Sequence, residues 1–195
     1  TESNEKITTL AGFRASFHEN WALAFLPFME SALAPLYQNY LYAQADYAHK
    51  YHLPGFLSTA YDPKGVYRQM GIPEISQNPV DRADVSVVFA TAMAMLISPI
   101  VGASWLAKLY GFDRLVLPYG AVESVGKDGY ADIFTADAKG MTLLAVSGGV
   151  LDEVKKYLQE RTVPRTGISM YVKLLELMHA KYKQMLQEKK LGYMA

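Results

Sequence analysis

The stretch Val85-Ser86-Val87-Val88-Phe89-Ala90-Thr91-Ala92-Met93-Ala94-Met95-Leu96-Ile97 decides the fold. It is apolar on nearly every side of a helix, so it reads as a helix covered by neighbours. Its apolar character runs on to Val101, but Ser86, Thr91, Ser98 and Pro99 interrupt it. That leaves it too short and too broken to span a bilayer, which takes about 20 apolar residues. Asp81 or Asp84 stands where a helix cap is expected.

Working outward, Glu19 to Lys50 carries Trp21, Phe25, Phe28, Leu33, Leu36, Tyr40 and Tyr47 at helical spacing. Pro27 and Pro35 should kink or divide this segment, because proline lacks the N–H and clashes with the preceding turn. On the other side Pro99 restarts a helix that runs to Tyr110 and ends at Gly111. A small-residue helix from Ala138 to Ser147, capped by Asp137 and closed by Gly148-Gly149, follows. Leu151 to Gln159 and the amphipathic, lysine-ended Ile168 to Lys190 complete the helices. No strand-length alternation recurs, so the expected class is all-α. Two long loops, Tyr51 to Pro79 and Phe112 to Asp137, separate the helices, and loops of that length tend to be functional.

Composition narrows the function. The chain has 195 residues, 51% hydrophobic and 19% charged, with 19 basic and 19 acidic side chains. A folded globule of one domain, or at most two, is expected. The balanced charge leaves no electrostatic footprint for nucleic acid or an anionic membrane. Cysteine is absent, which excludes disulfides, thiolate metal sites and a cysteine nucleophile. No basic start followed by an apolar stretch marks a signal peptide. Phosphate-binding glycine loop, Gly-x-Ser-x-Gly elbow and HExxH are all missing. His18, His49, His52 and His179 lack ligand spacing, so neither a metal nor any other cofactor is expected.

What stands out is 14 tyrosines, many beside Gly, Pro and Asp, where an amphipathic ring suits a binding surface. The loops also carry carboxylates: Asp62, Glu74, Asp81 and Asp84 at the first, Glu123, Asp128, Asp132 and Asp137 at the second. Paired carboxylates are what glycoside hydrolysis uses, one donating a proton to the leaving oxygen and one acting as base or nucleophile. Capping or solvation is the ordinary explanation for Asp81, Asp128 and Asp137. Glu74, after Gly71-Ile72-Pro73, and Glu123, after Tyr119-Gly120-Ala121-Val122, cap no evident helix and are flanked by rigid turns. They are the first catalytic candidates, with Asp62 and Asp84 as substitutes. Phe13, Arg14, His18, Trp21, Tyr61, Tyr67, Arg82, Tyr119 and Tyr130 are the substrate-binding candidates, a mixture of ring faces and polar groups suited to a neutral polyol.

The order of motifs is Gly55-Phe56-Leu57-Ser58-Thr59-Ala60-Tyr61-Asp62-Pro63, Gly71-Ile72-Pro73-Glu74-Ile75-Ser76, the apolar helix of Phe89 to Pro99, Tyr119-Gly120-Ala121-Val122-Glu123-Ser124, then Asp132 to Leu144. It resembles the C-terminal half of the glucoamylase-like and DUF3131-type α/α-toroid proteins of bacterial glucan metabolism. The resemblance implies inner and outer rings of paired helices, a saccharide cleft at one mouth of the ring with Glu74 and Glu123 facing it, and a periplasmic or extracellular setting. A closed toroid needs about twelve helices and this chain offers six or seven. The expectation is therefore a single helical domain over 1–195 forming a partial α/α toroid, a fragment or half of a ring that another chain or copy completes. The expected partner is an oligo- or polysaccharide of glucan type. The alternatives are a noncatalytic saccharide-binding domain, or a helical interaction module whose last helix would expose Leu174, Leu175 and Met178.

Overall fold

The computed structural model describes residues 7–10, 20–76, 78–187 and 191–194. The first aromatic segment is divided where the prolines demand it. Short 3-10 turns at Trp21–Ala24 and Phe28–Glu30 precede α1 (Ala34–Lys50). Pro27 flanks the second turn, and Pro35 lies in the first turn of α1, where the missing N–H has no helical partner to lose.

The central apolar stretch departs from the single helix expected. Val85–Val87 is a strand, β4, and only Val88–Met93 is α-helix (α2), followed by a 3-10 turn at Ala94–Leu96. The β-branched Val85 and Val87 suit the extended backbone. Neither Asp81 nor Asp84 caps α2. The cap position is Val87, with no side-chain bond, and the Val88 N–H donates to the Glu123 carbonyl. Asp81 accepts the Gln69 N–H, and Asp84 turns to Arg82. All six residues of α2 are buried, and the helices α3 (Pro99–Tyr110) and α4 (Ala136–Val146) pack on it. A Cβ on Gly102 of α3 would lie 2.3 Å from the Met95 backbone nitrogen, so glycine is what lets α3 lie against the Ala94–Leu96 turn. Helices α5 (Leu151–Gln159) and α6 (Met170–Gln187) pack on each other, and Lys155 and Tyr171 both bond Glu30. On α6 Met178 is buried while Leu174 and Leu175 pack partly covered on the core, so these residues do not form the open docking face that an interaction module needs.

Small sheets occupy the two loops and the chain ends. β1 (Ile7–Leu10) pairs antiparallel with β9 (Leu191–Met194), and β2 (Ala60–Tyr61) with β3 (Tyr67–Arg68). β5 (Val116–Leu117) forms a hairpin with β6 (Gly120–Ala121). β4, β7 (Ser124–Gly126) and β8 (Gly129–Tyr130) make a three-stranded sheet. With two to four residues each, these strands are too short for alternation to mark them in sequence.

The first part of the first loop is not a surface segment. Residues 53–60 are buried, and side chains from other elements bond their backbone. Ser86 Oγ accepts the Gly55 N–H and donates to the Gly55 carbonyl, and Thr91 Oγ1 accepts the Phe56 N–H. Gln44 of α1 accepts the Leu57 N–H and donates to its carbonyl. Buried backbone must be satisfied, and here side chains replace a ladder. A Cβ on Gly55 would stand 2.5 Å from Thr91 Oγ1, so the bare backbone is what admits that hydroxyl. Among the described residues no helix is long and apolar enough to cross a membrane.

Candidate active site

The same bracing continues to Tyr61, where it involves a charged residue. Glu123 and Ser124 enter β7 with their backbones committed: the Glu123 N–H donates to the Ala131 carbonyl and the Ala131 N–H to that of Ser124. Ser124 Oγ donates to the Tyr61 carbonyl, and Glu123 Oε1 accepts the Tyr61 N–H at 3.1 Å. Glu123 Oε2 accepts the Thr135 hydroxyl at 2.7 Å. Only 4% of Glu123 is exposed. It lies in the wall of a pocket of ≈ 240 Å³ whose other lining is mainly apolar, with Val88, Val122, Leu143, Tyr110 and Lys139 around it.

Thr135 is the cap residue of α4 yet makes no cap hydrogen bond. Such a cap is ordinarily worth about 1 kcal/mol, and its hydroxyl is spent on Glu123 instead. One turn on, Lys139 Nζ donates to the Ala121 carbonyl and lies over the Phe134 ring, 5.0 Å from its centroid. Burial pushes the Lys139 ammonium down, and the Glu123 charge partly offsets this. Both donors on Glu123 are neutral, a backbone N–H and a hydroxyl.

Two aromatic pairs involve the segments that bond this acid, Tyr61 itself and Phe134 next to Thr135. Tyr61 and Tyr67 meet edge to face at 5.2 Å, and Tyr119 and Phe134 do so at 6.3 Å. Tyr119, at the tip of the β5–β6 hairpin, is 85% exposed. Burial raises the Tyr67 phenol above its ordinary value, and the charges of Asp137, in the first turn of α4, and Glu123 add to this. Two carboxylates thus act on one phenol.

The other sequence candidates form a second, charged centre. Arg82 spends its fork on two acids, bonding Asp84 at 2.9 and 3.0 Å and Asp128 at 3.0 and 2.9 Å. Asp62 lies 3.6 Å from the same guanidinium, and its Oδ1 accepts the N–H groups of Lys64 and Val66. The Val66 N–H, ahead of Arg68, holds the Asp62 carboxyl low, and Arg82 does the same for Asp84 and Asp128. Carboxylates held ionised in this way are poor proton donors. Asp62 and Asp84 therefore serve first to hold this turn and its arginine.

Glu74 stands apart from Glu123. It is exposed on the 3-10 turn Pro73–Ile75, and with Asp84 it adds to the burial that raises the Tyr47 phenol to about 12. The two leading acids of the sequence reading are thus felt by different tyrosines. Tyr130 is half-buried on the small apolar cluster of Val88, Leu115 and Val122, and Trp21 is half-exposed, edge-on to Phe25. Phe13, Arg14 and His18 lie outside the described residues. Thr135, Phe134 and Lys139 were not legible as site residues, and Asp137 read only as a cap. A Thr before a helix signals a cap, and nothing local says that its hydroxyl turns away.

Comparison with known proteins places this geometry. No curated protein matches the chain. Two solved structures of an endo-beta-1,2-glucanase from Talaromyces funiculosus, a mutant with beta-1,2-glucan and the enzyme with sophorose, superpose with a TM-score of 0.76 at 24% identity. The match covers 91% of this chain and 37% of theirs, so the chain spans little more than a third of their length. The chain accordingly has the α/α-toroid fold of these structures, as expected. The glucoamylase-like and DUF3131 naming does not stand, because a different family matches. The model of that family covers residues 1–194, and the chain belongs to it: the family described as Endo-beta-1,2-glucanase SGL.

Proposed function

We propose that this chain carries a β-1,2-glucan-cleaving site, with Glu123 as its catalytic acid and the pairs Tyr61–Tyr67 and Tyr119–Phe134 as sugar-stacking walls. The observation that carries this reading is the carboxylate of Glu123 itself, buried in the wall of an apolar pocket and bonded to the Tyr61 backbone. Bracing the Tyr61 N–H does not need an acid, since Gln44 braces Leu57 as a neutral amide. A carboxyl group at that position is therefore accounted for by proton transfer. Hydrolysis takes one carboxyl to protonate the leaving oxygen and a second to activate water. Asp137, exposed in the first turn of α4 and acting on the same Tyr67, is assigned the second role. Glu74, on the Tyr47 side, is kept as the substitute.

The family match supports glucan as substrate class, and the Talaromyces enzyme is seen with beta-1,2-glucan. A ring completed by further helices, in the same or another chain, is supported by apolar residues left open on α3 and α4, such as Ile100 and Leu143, 82% and 70% exposed. The test is reducing-end release from β-1,2-glucan by the wild type, Glu123→Gln, Asp137→Asn and Glu74→Gln. The proposal expects product from the wild type, almost none from the first variant and little from the second. Full activity of Glu123→Gln would overturn it, and binding without product from any of them would make this a saccharide-binding domain.

A further inference from the structure

We infer that Thr135 is a positioning residue for Glu123, using its hydroxyl to aim that carboxyl group into the pocket rather than to cap α4. The inference rests on the reading of Glu123 as the acting acid, but its geometry stands on its own. Thr135 has the extended backbone of a cap residue (φ −92°, ψ 140°), from which the oxygen ordinarily accepts a helix N–H. Here the hydroxyl donates outward to Glu123 Oε2 at 2.7 Å. The other donor to Glu123 is the Tyr61 backbone N–H on Oε1. Two donors, one on each oxygen, set the plane of the carboxyl group, whereas one donor leaves it free to turn about its last bond. Because the Tyr61 donor is backbone, Thr135 is the side chain through which this plane is controlled. Lys139 and Tyr110 line the same pocket and the Tyr67 phenol feels the Glu123 charge, so a turned carboxyl group meets a different set of charges and dipoles.

Thr135→Val removes the donor and keeps the shape, Thr135→Ala is the second deletion should valine impair folding, and Thr135→Ser keeps the hydroxyl. Two readouts are needed: kcat and KM on β-1,2-glucan oligosaccharides, and hydrogen exchange of the Tyr61 amide by NMR. The expected result is a kcat lower by roughly 10- to 100-fold in the deletions with KM within about twofold, as for other misplaced reacting groups. The serine variant should recover most of the rate, and Tyr61 exchange should quicken in the deletions alone. Unchanged kcat and unchanged Tyr61 exchange in a folded deletion variant would overturn the inference. If Tyr61 exchange responds but Glu123→Gln cleaves glucan normally, the positioning stands and the catalytic reading of Glu123 falls.

Discussion

Glu123 bonds Tyr61 and Asp62 follows Tyr61 in the chain, yet the surroundings of the two acids are opposite. Around Asp62 the acids face a guanidinium: Arg82 is gripped by Asp84 and Asp128, with Asp62 3.6 Å away. Around Glu123 the donors are a backbone N–H and a hydroxyl, and the pocket beyond is mainly apolar. A guanidinium favours the ionised form of the carboxylates that face it, whereas the two donors on Glu123 are neutral. Acids brought together by the same loops thus meet different surroundings, one set gripping an arginine and the other set beside an apolar pocket. The charged centre holds the turn Asp62–Val66 and ties it to Asp128, which fixes Tyr61 and Tyr67 beside Glu123.

The comparison breaks most sharply at Glu123. Glu123→Gln should keep the bonds to Tyr61 and Thr135 and therefore the fold, yet lose roughly 10²- to 10⁴-fold in the rate of glucan cleavage. A drop in melting temperature comparable to the loss of rate would instead make Glu123 a brace. Next, Arg82→Met should take the shared guanidinium from Asp84 and Asp128 and cost about 2–3 kcal/mol in urea denaturation, less than for a fully buried pair because both acids are partly exposed. Activity per folded molecule should change far less than stability.

Acid titration sharpens the same contrast. The carboxyls of Asp84 and Asp128 are held below their ordinary value by Arg82. Because the folded form binds the proton less readily, their stabilisation is fully present above the unfolded value of about 3.9. It is lost as pH falls from there through the lowered folded values. Melting temperatures recorded between pH 6 and pH 2 should therefore converge for wild type and Arg82→Met at the acid end. The smallest effect is expected at the rim. Tyr119→Ala, at a side chain 85% exposed, should leave stability within about 0.5 kcal/mol. It should raise KM for longer glucans several-fold, and isothermal titration with the Glu123→Gln background would show whether this is lost affinity.

Much of the helical frame was legible. Pro27, Pro35, Pro99 and Gly111 act through their own backbone chemistry, so the boundaries they imply appear within a residue or two. The failures share one cause. Val85–Val87 reads as helix from apolarity alone, and only the pairing with Ser124–Gly126, far along the chain, makes it a strand. Residues 53–60 read as an open loop because nothing local reveals that Ser86, Thr91 and Gln44 will satisfy their backbone. In the candidate site, Glu123 and Tyr61 were legible as functional residue types, whereas the roles of Thr135 and Lys139 depend on where their polar ends point.

By itself, then, the sequence determined the helical class, its punctuation, the exclusion of thiol chemistry and a supply of loop carboxylates and tyrosines. These follow from residue type and local spacing, which act over a few residues. Which carboxylate became arginine-locked and which was left on neutral donors beside an apolar pocket was decided only by the tertiary structure. Arg82 meets Asp128 across 46 positions and Glu123 meets Tyr61 across 62. The environment of a charge is set by such distant neighbours, and no local pattern encodes it.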